Sequence, residues 1–246
     1  MRSILFFVLL SILVLPSNGQ PSIASESFTR GIAESKSGDH VSALRSFTNA
    51  LEVAEHETND QNFLARTHYN IGVSAYHLGK FDLAIPHLED AIILSGYKYE
   101  KAYYALGMAY AETGDWVSAR DAFVSALSIN SKNGEAWFDL AYAYLALNED
   151  KMAMKAFERS IRYKTVDMPI AENNLGVLFA KSGDLKNAEK HFKNAVRLFG
   201  SSSNIASENL NVSREMMRNP NDGQRGSMFA LIERYTKLQT NYEQTK

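Results

Sequence analysis

The side chains able to do chemistry in this chain are few, and their spacing points away from catalysis. There is no cysteine, so a thiol nucleophile, a cysteine-ligated metal and a disulfide are all excluded. The histidines are His40, His56, His68, His77, His87 and His191. None belongs to a His-Glu-x-x-His pattern, which would put two zinc ligands and a base on one helix face. Glu55-His56-Glu57 with Asp60 gathers residue types that a cation takes, but in a polar link they read as solvated loop. No Gly-rich phosphate loop and no serine in a nucleophile elbow is present. The expectation is a protein that is not an enzyme, with no catalytic residue, no cofactor and no metal.

The elements that carry the remaining residues announce themselves by repetition. An Ala is followed four residues on by Phe or Leu and seven residues on by Ala or Ser: Ala43/Phe47/Ala50, Ala84/Leu88/Ala91, Ala119/Phe123/Ala126, Ala153/Phe157/Ser160 and Ala188/Phe192/Ala195. The first members stand 41, 35, 34 and 35 positions apart. A period in this range indicates stacked supersecondary units. Twelve residues before each Ala stands a small residue: Gly31, Gly72, Gly107, Ala141 and Gly176. Five residues before it stands a helix stop, Gly38, Gly79, Gly114, Asn148 or Gly183, residues that tolerate the left-handed backbone ending a helix. Asp39, Lys80, Asp115 and Asp184 follow four of these stops and suit the start of a second helix. Each unit therefore reads as helix, short turn, helix, with the small residue and the Ala letting the two helices approach closely.

Tyr103-Tyr104-Ala105-Leu106-Gly107 with Tyr110, Gly114, Trp116, Ala119, Phe123 and Ala126 resembles the tetratricopeptide repeat family, as do Trp137, Leu140, Tyr144, Ala153 and Phe157. The resemblance implies an all-α fold, a right-handed superhelical solenoid of antiparallel helix pairs. Units are expected at about 24–57, 65–98, 100–133, 134–167 and 169–202. A degenerate sixth unit or cap is expected over 204–243, because Ala206–Val212 aligns with Ala171–Val177. Its second helix would be Met228–Tyr242, after a loop over Asn219–Gly226. The family's Pro after the second helix is missing. The link after the first unit carries extra residues around Glu55–Asn62, which either lengthen a helix or form a loop.

In this family the first helices line the concave face, so the resemblance implies a partner-binding groove. The second unit would contribute Arg66, Tyr69, Asn70, Val73, Tyr76 and His77. The third would contribute Lys101, Tyr104 and Met108, the fourth Phe138, Asp139 and Tyr142, the fifth Asn173, Asn174 and Val177. The aromatics offer contact area at low entropic cost. Asn70, Asn174 and Asn209 share a register at which related proteins hold peptide backbone through the side-chain amide. Arg66 and Lys101 suit a carboxylate. Glu112, Glu135 and Asp139 dilute that charge.

The formal charge of −2 lacks the basic excess that phosphate backbones demand, so no nucleic-acid partner is expected. At the start, Arg2 precedes the apolar run Ile4–Leu15, followed by Pro16, Ser17, Asn18, Gly19 and Gln20. Twelve helical residues span about 18 Å, less than a hydrocarbon core of roughly 30 Å. The pattern reads as a signal peptide over residues 1–19, with a solenoid domain over 20–246. An uncleaved anchor is the other reading. The expectation is an exported chain, periplasmic or secreted, with bacterial origin favoured and no stable membrane insertion after cleavage. Its function would be that of an envelope scaffold or adaptor binding a protein or extended peptide. Self-assembly through the convex face or C-terminal helix, and binding of envelope polysaccharide, are the alternatives.

Overall fold

In a computed structural model the described residues are 22–57, 60–200 and 204–218. The expected signal peptide, the expected loop Asn219–Gly226 and the expected helix Met228–Tyr242 lie outside them. The described residues form eleven helices: α1 (Ile23–Lys36), α2 (His40–Glu57), α3 (Gln61–His77), α4 (Phe81–Leu94), α5 (Glu100–Thr113), α6 (Trp116–Ile129), α7 (Gly134–Ala146), α8 (Asp150–Arg162), α9 (Met168–Lys181), α10 (Leu185–Phe199) and α11 (Asn204–Arg218). Consecutive helices pack as antiparallel pairs, α1 on α2 through α9 on α10, and each pair packs on the next. The odd-numbered helices also touch one another along the stack, α3 with α5, α5 with α7 and α9 with α11.

The period-35 residues build the core of each pair. Phe47, Leu88, Phe123, Phe157 and Phe192 are fully buried, as are the Ala residues four positions before them. Phe47, Leu88, Phe123 and Phe192 each lie over the glycine of the preceding helix. A Cβ placed on Gly107 would stand 2.6 Å from the Phe123 ring, one on Gly72 2.6 Å from Leu88, and one on Gly176 2.7 Å from Phe192. The glycine is thus required by close approach of the helices.

The turn inside each pair follows equally local rules. All five expected stops have positive φ, between 59° at Asn148 and 86° at Gly183. The next helix then starts on a side-chain cap in three pairs. Asp39, Asp115 and Asp184 accept hydrogen bonds from the backbone N–H groups of Ser42, Ser118 and Asn187 at 3.0, 3.1 and 3.1 Å. Each such cap contributes about 1 kcal/mol.

The extra residues after the first pair lengthen helices at both ends of the link. α2 has 18 residues and α3 has 17, whereas α5 and α6 have 14 each. Asp60 is spent as the cap of α3, accepting from the N–H groups of Asn62 and Phe63 at 3.0 and 3.2 Å. Among the described residues no helix is long and apolar enough to cross a membrane.

Candidate functional site

The residues expected to line the groove stand on α3, α5, α7 and α9, and a chain of hydrogen bonds links these helices one repeat at a time. Tyr76 Oη donates to Glu112 at 3.3 Å, from α3 to α5. Tyr104 Oη donates to Asp139 Oδ2 at 2.7 Å, from α5 to α7. Asn174 Nδ2 donates to Tyr142 Oη at 2.9 Å, from α9 back to α7. Asn209 Nδ2 donates to Asn173 Oδ1 at 2.9 Å, from α11 back to α9. Partners are 36, 35, 32 and 36 residues apart, so the ladder has the period of the fold itself.

This ladder corrects part of the expected groove. Phe138, Asp139, Asn173 and Asn174 have no exposed surface, Val177 is 1% exposed and Tyr142 8% exposed. They are interior groups. The rings of Phe138 and Tyr142 pack edge-on against each other at 5.2 Å and against Phe157 at 5.9 and 5.7 Å. The amides of Asn173 and Asn174 are joined to each other at 3.1 Å and to neighbouring repeats. A buried amide must be hydrogen-bonded, and here other side chains of the chain supply those bonds.

The positions on α3 and α5 remain accessible. Arg66, His77 and Lys101 are exposed, while Tyr69, Asn70, Val73, Tyr76, Tyr104 and Met108 are half-buried. The ring of Tyr69 packs at 4.9 Å against that of Tyr99, tilted by 38°. Burial raises the phenol of Tyr69 and pushes that of Tyr99 up to about 12, so both stay neutral donors at physiological pH. The Arg66 guanidinium lies 5.0 Å over the Phe28 ring, an attraction between cation and ring face. Asn70 donates to the carbonyl of Arg66 within its own helix at 2.7 Å.

A second polar cluster lies between α3 and α4, away from those positions in the helix register. His68 Nδ1 and His87 Nδ1 are 3.0 Å apart, and Asp90 Oδ2 lies 3.4 Å from His68 Nδ1. His77 stacks its ring on His40 of α2 at 4.3 Å.

Three tetratricopeptide repeat profiles match the chain, over residues 23–94, 69–133 and 112–169. Together they run unbroken from 23 to 169, more than half of the sequence. The chain is a tetratricopeptide repeat protein. Among curated relatives, this repeat protein is 28% identical over 119 residues to the BBSome complex member BBS4 of Xenopus tropicalis, which covers 48% of the chain. The chain spans about a quarter, 23%, of that relative's length. Of solved structures, the MamA protein matches with TM-score 0.62 at 24% identity over 72% of this chain and 92% of its own. Cut9 with Hcn1, an APC/C hetero-tetramer, matches with TM-score 0.59 at 18% identity over 77% of this chain and 36% of that one. The two structures share the fold.

The repeat register explains how the histidines meet. In a tetratricopeptide pair Gly72 faces Ala84 and Leu88. Because the helices are antiparallel, the residue one turn before Gly72 must face the residues just around Leu88, and these are His87 and Asp90. The signal lies in two helices taken together, and no metal pattern confined to a single helix contains it.

Partial desolvation by packed neighbours holds His68, His77 and His87 below the ordinary histidine range, even at the largely exposed His77, where the stacked His40 adds to the effect. An unfolded histidine titrates near 6.5, so just below that pH the unfolded chain binds more protons than the folded one. The stability these three contribute is complete above pH 6.5 and is lost as pH falls through their depressed folded values. The thermal midpoint, followed by circular dichroism, is therefore expected to fall between about pH 7 and pH 5. His68→Gln/His77→Gln/His87→Gln should flatten that slope, and an unchanged slope would contradict the assignment.

Proposed function

We propose that the protein is an interaction scaffold of the cell envelope that holds a protein or extended peptide across α3 and α5. Tetratricopeptide repeat proteins are protein-interaction scaffolds, and this chain is one of them. What supports the location of the site is a set of half-buried aromatics, Tyr69, Tyr76 and Tyr104, beside exposed Arg66 and Lys101. Such rings provide apolar area with a polar tip, and the cations attract an acidic side chain or a peptide carboxylate. The name of BBS4 as a member of a complex fits the same reading. What supports export is the run Ile4–Leu15 after Arg2. The partner is a protein or peptide, not nucleic acid.

The test is a crosslinking pull-down from envelope extract with the chain and with Arg66→Glu/Tyr69→Ala/Lys101→Glu. None of these three supplies a rung of the ladder between repeats. The proposal expects a partner captured by the unaltered chain and at least about tenfold less by the variant, each substitution removing about 1 kcal/mol or more. Equal capture by both, with matching helical circular dichroism, would move the contact to the convex face and restore the self-assembly reading.

A further inference from the structure

We propose that His68, His87 and Asp90 bind a divalent transition-metal ion of the zinc type, which clamps α3 to α4. The argument is geometric. Zinc bonds of about 2.0–2.1 Å arranged tetrahedrally set neighbouring donor atoms about 3.3 Å apart. The donor atoms here stand 3.0 Å and 3.4 Å apart along the pairs His68–His87 and His68–Asp90, and all three lie within 4.8 Å of one another. The donor set is also chemically matched. Two imidazole nitrogens and a carboxylate oxygen suit zinc and its first-row neighbours better than calcium or magnesium, which take oxygen.

In the metal-free pair a proton on one Nδ1 joins the two rings. On metal binding that proton moves to Nε2 of its own ring, so both neutral imidazoles offer an Nδ1 lone pair to the ion. A water molecule completes the tetrahedron from the Asp90 side, where the carboxylate is 53% exposed while His68 is 12% exposed.

The same register recurs in other repeats, and the comparison isolates what is particular to the second. In the first pair the equivalent residues are Ser27, Ser46 and Asn49, with Ser27 Oγ donating to Asn49 Oδ1 at 2.8 Å. In the fourth, Arg159 lies 5.3 Å over the Trp137 ring. In the fifth, His191 Nδ1 lies 2.7 Å from Glu172 Oε2, and Asn194 donates to the same carboxylate at 3.2 Å. Every one of these sets is a bridge between the two helices of its pair. In the second pair alone, among the described residues, three metal-ligating side chains fill it. The bridge is carried on two packed helices, so the donors are held in place before a metal arrives.

The experiment is calorimetric titration of the full, tag-free, chelator-stripped chain with zinc chloride near pH 7.5, with cobalt(II) absorption as a reporter of coordination. The expected result is one ion per chain and a cobalt spectrum of tetrahedral intensity. His87→Gln and Asp90→Asn should each weaken binding at least about tenfold, while His40→Gln and His191→Gln leave it unchanged. Asp90 is exposed, so its variant keeps the helix pair and tests the site even if His87→Gln fails to fold. No saturable binding, or binding that survives both His87→Gln and Asp90→Asn, would overturn the proposal.

Discussion

Replacing Phe123 by alanine is expected to cost about 3–5 kcal/mol and to split unfolding into two steps. The ring is fully buried between α5 and α6, and its loss combines lost transfer energy with a cavity that the backbone cannot close. In a solenoid stability is a sum of unit and neighbour terms. Weakening the third pair therefore uncouples the units on either side, and chemical unfolding followed by circular dichroism should lose its single transition. Gly107 provides the internal check. Its Cβ position stands 2.6 Å from the Phe123 ring. Gly107→Ala gains about 1 kcal/mol of helix propensity but overpacks by about 1–3 kcal/mol, for a modest net loss. In the Phe123→Ala background the clash is gone, so the same substitution should become stabilising. Additive effects in this double-mutant cycle would refute the contact. In the fourth pair Ala141 holds the register position of the glycine, and both it and Phe157 are fully buried, so the fold accepts the extra methyl where the helices are set for it.

How far the sequence could be read follows from the kind of interaction that carries each feature. The helix pairs, the stops and the apolar core depend on neighbours within about one repeat, and these are written at fixed offsets. That is why the stop at Asn148 was recognisable although it is not glycine. The lengthening of α2 and α3 is not legible in the same way, because an inserted segment breaks the offsets that make the rest readable. The expected groove rests on each register position keeping its exposure along the solenoid. That constancy holds for Asn70 and Lys101, which are at least partly exposed, and fails for Asn174 and Asp139, which are buried. The difference lies in the residue one repeat away. Asp139 has the hydroxyl of Tyr104 to accept from, and Asn174 has the hydroxyl of Tyr142 to donate to. Pairing across repeats is visible in a sequence only when two registers are compared at once. The same holds for His68 and His87, which no single-helix pattern joins.

The pairing yields a prediction that separates two asparagines of one register. Asn174→Leu keeps the approximate volume but removes the donor to Tyr142 Oη and the acceptor used by Asn173 Nδ2. Both neighbours lie in the interior, where the loss of a hydrogen bond costs a polar group about 1–3 kcal/mol. The expected total is about 2–4 kcal/mol, offset only slightly by the apolar gain of the new side chain. Asn70→Leu, at the equivalent place on α3, removes only a bond to the carbonyl of its own helix at a partly exposed position. Its cost is expected within about 0.5 kcal/mol. Thermal midpoints measure the difference, and amide hydrogen exchange locates it, since opening should rise in α7 and α9 for Asn174→Leu alone. Equal effects of the two substitutions would mean that the ladder does not join the repeats. Unequal effects in the expected order would identify the buried asparagines of this register as structural groups that join one repeat to the next.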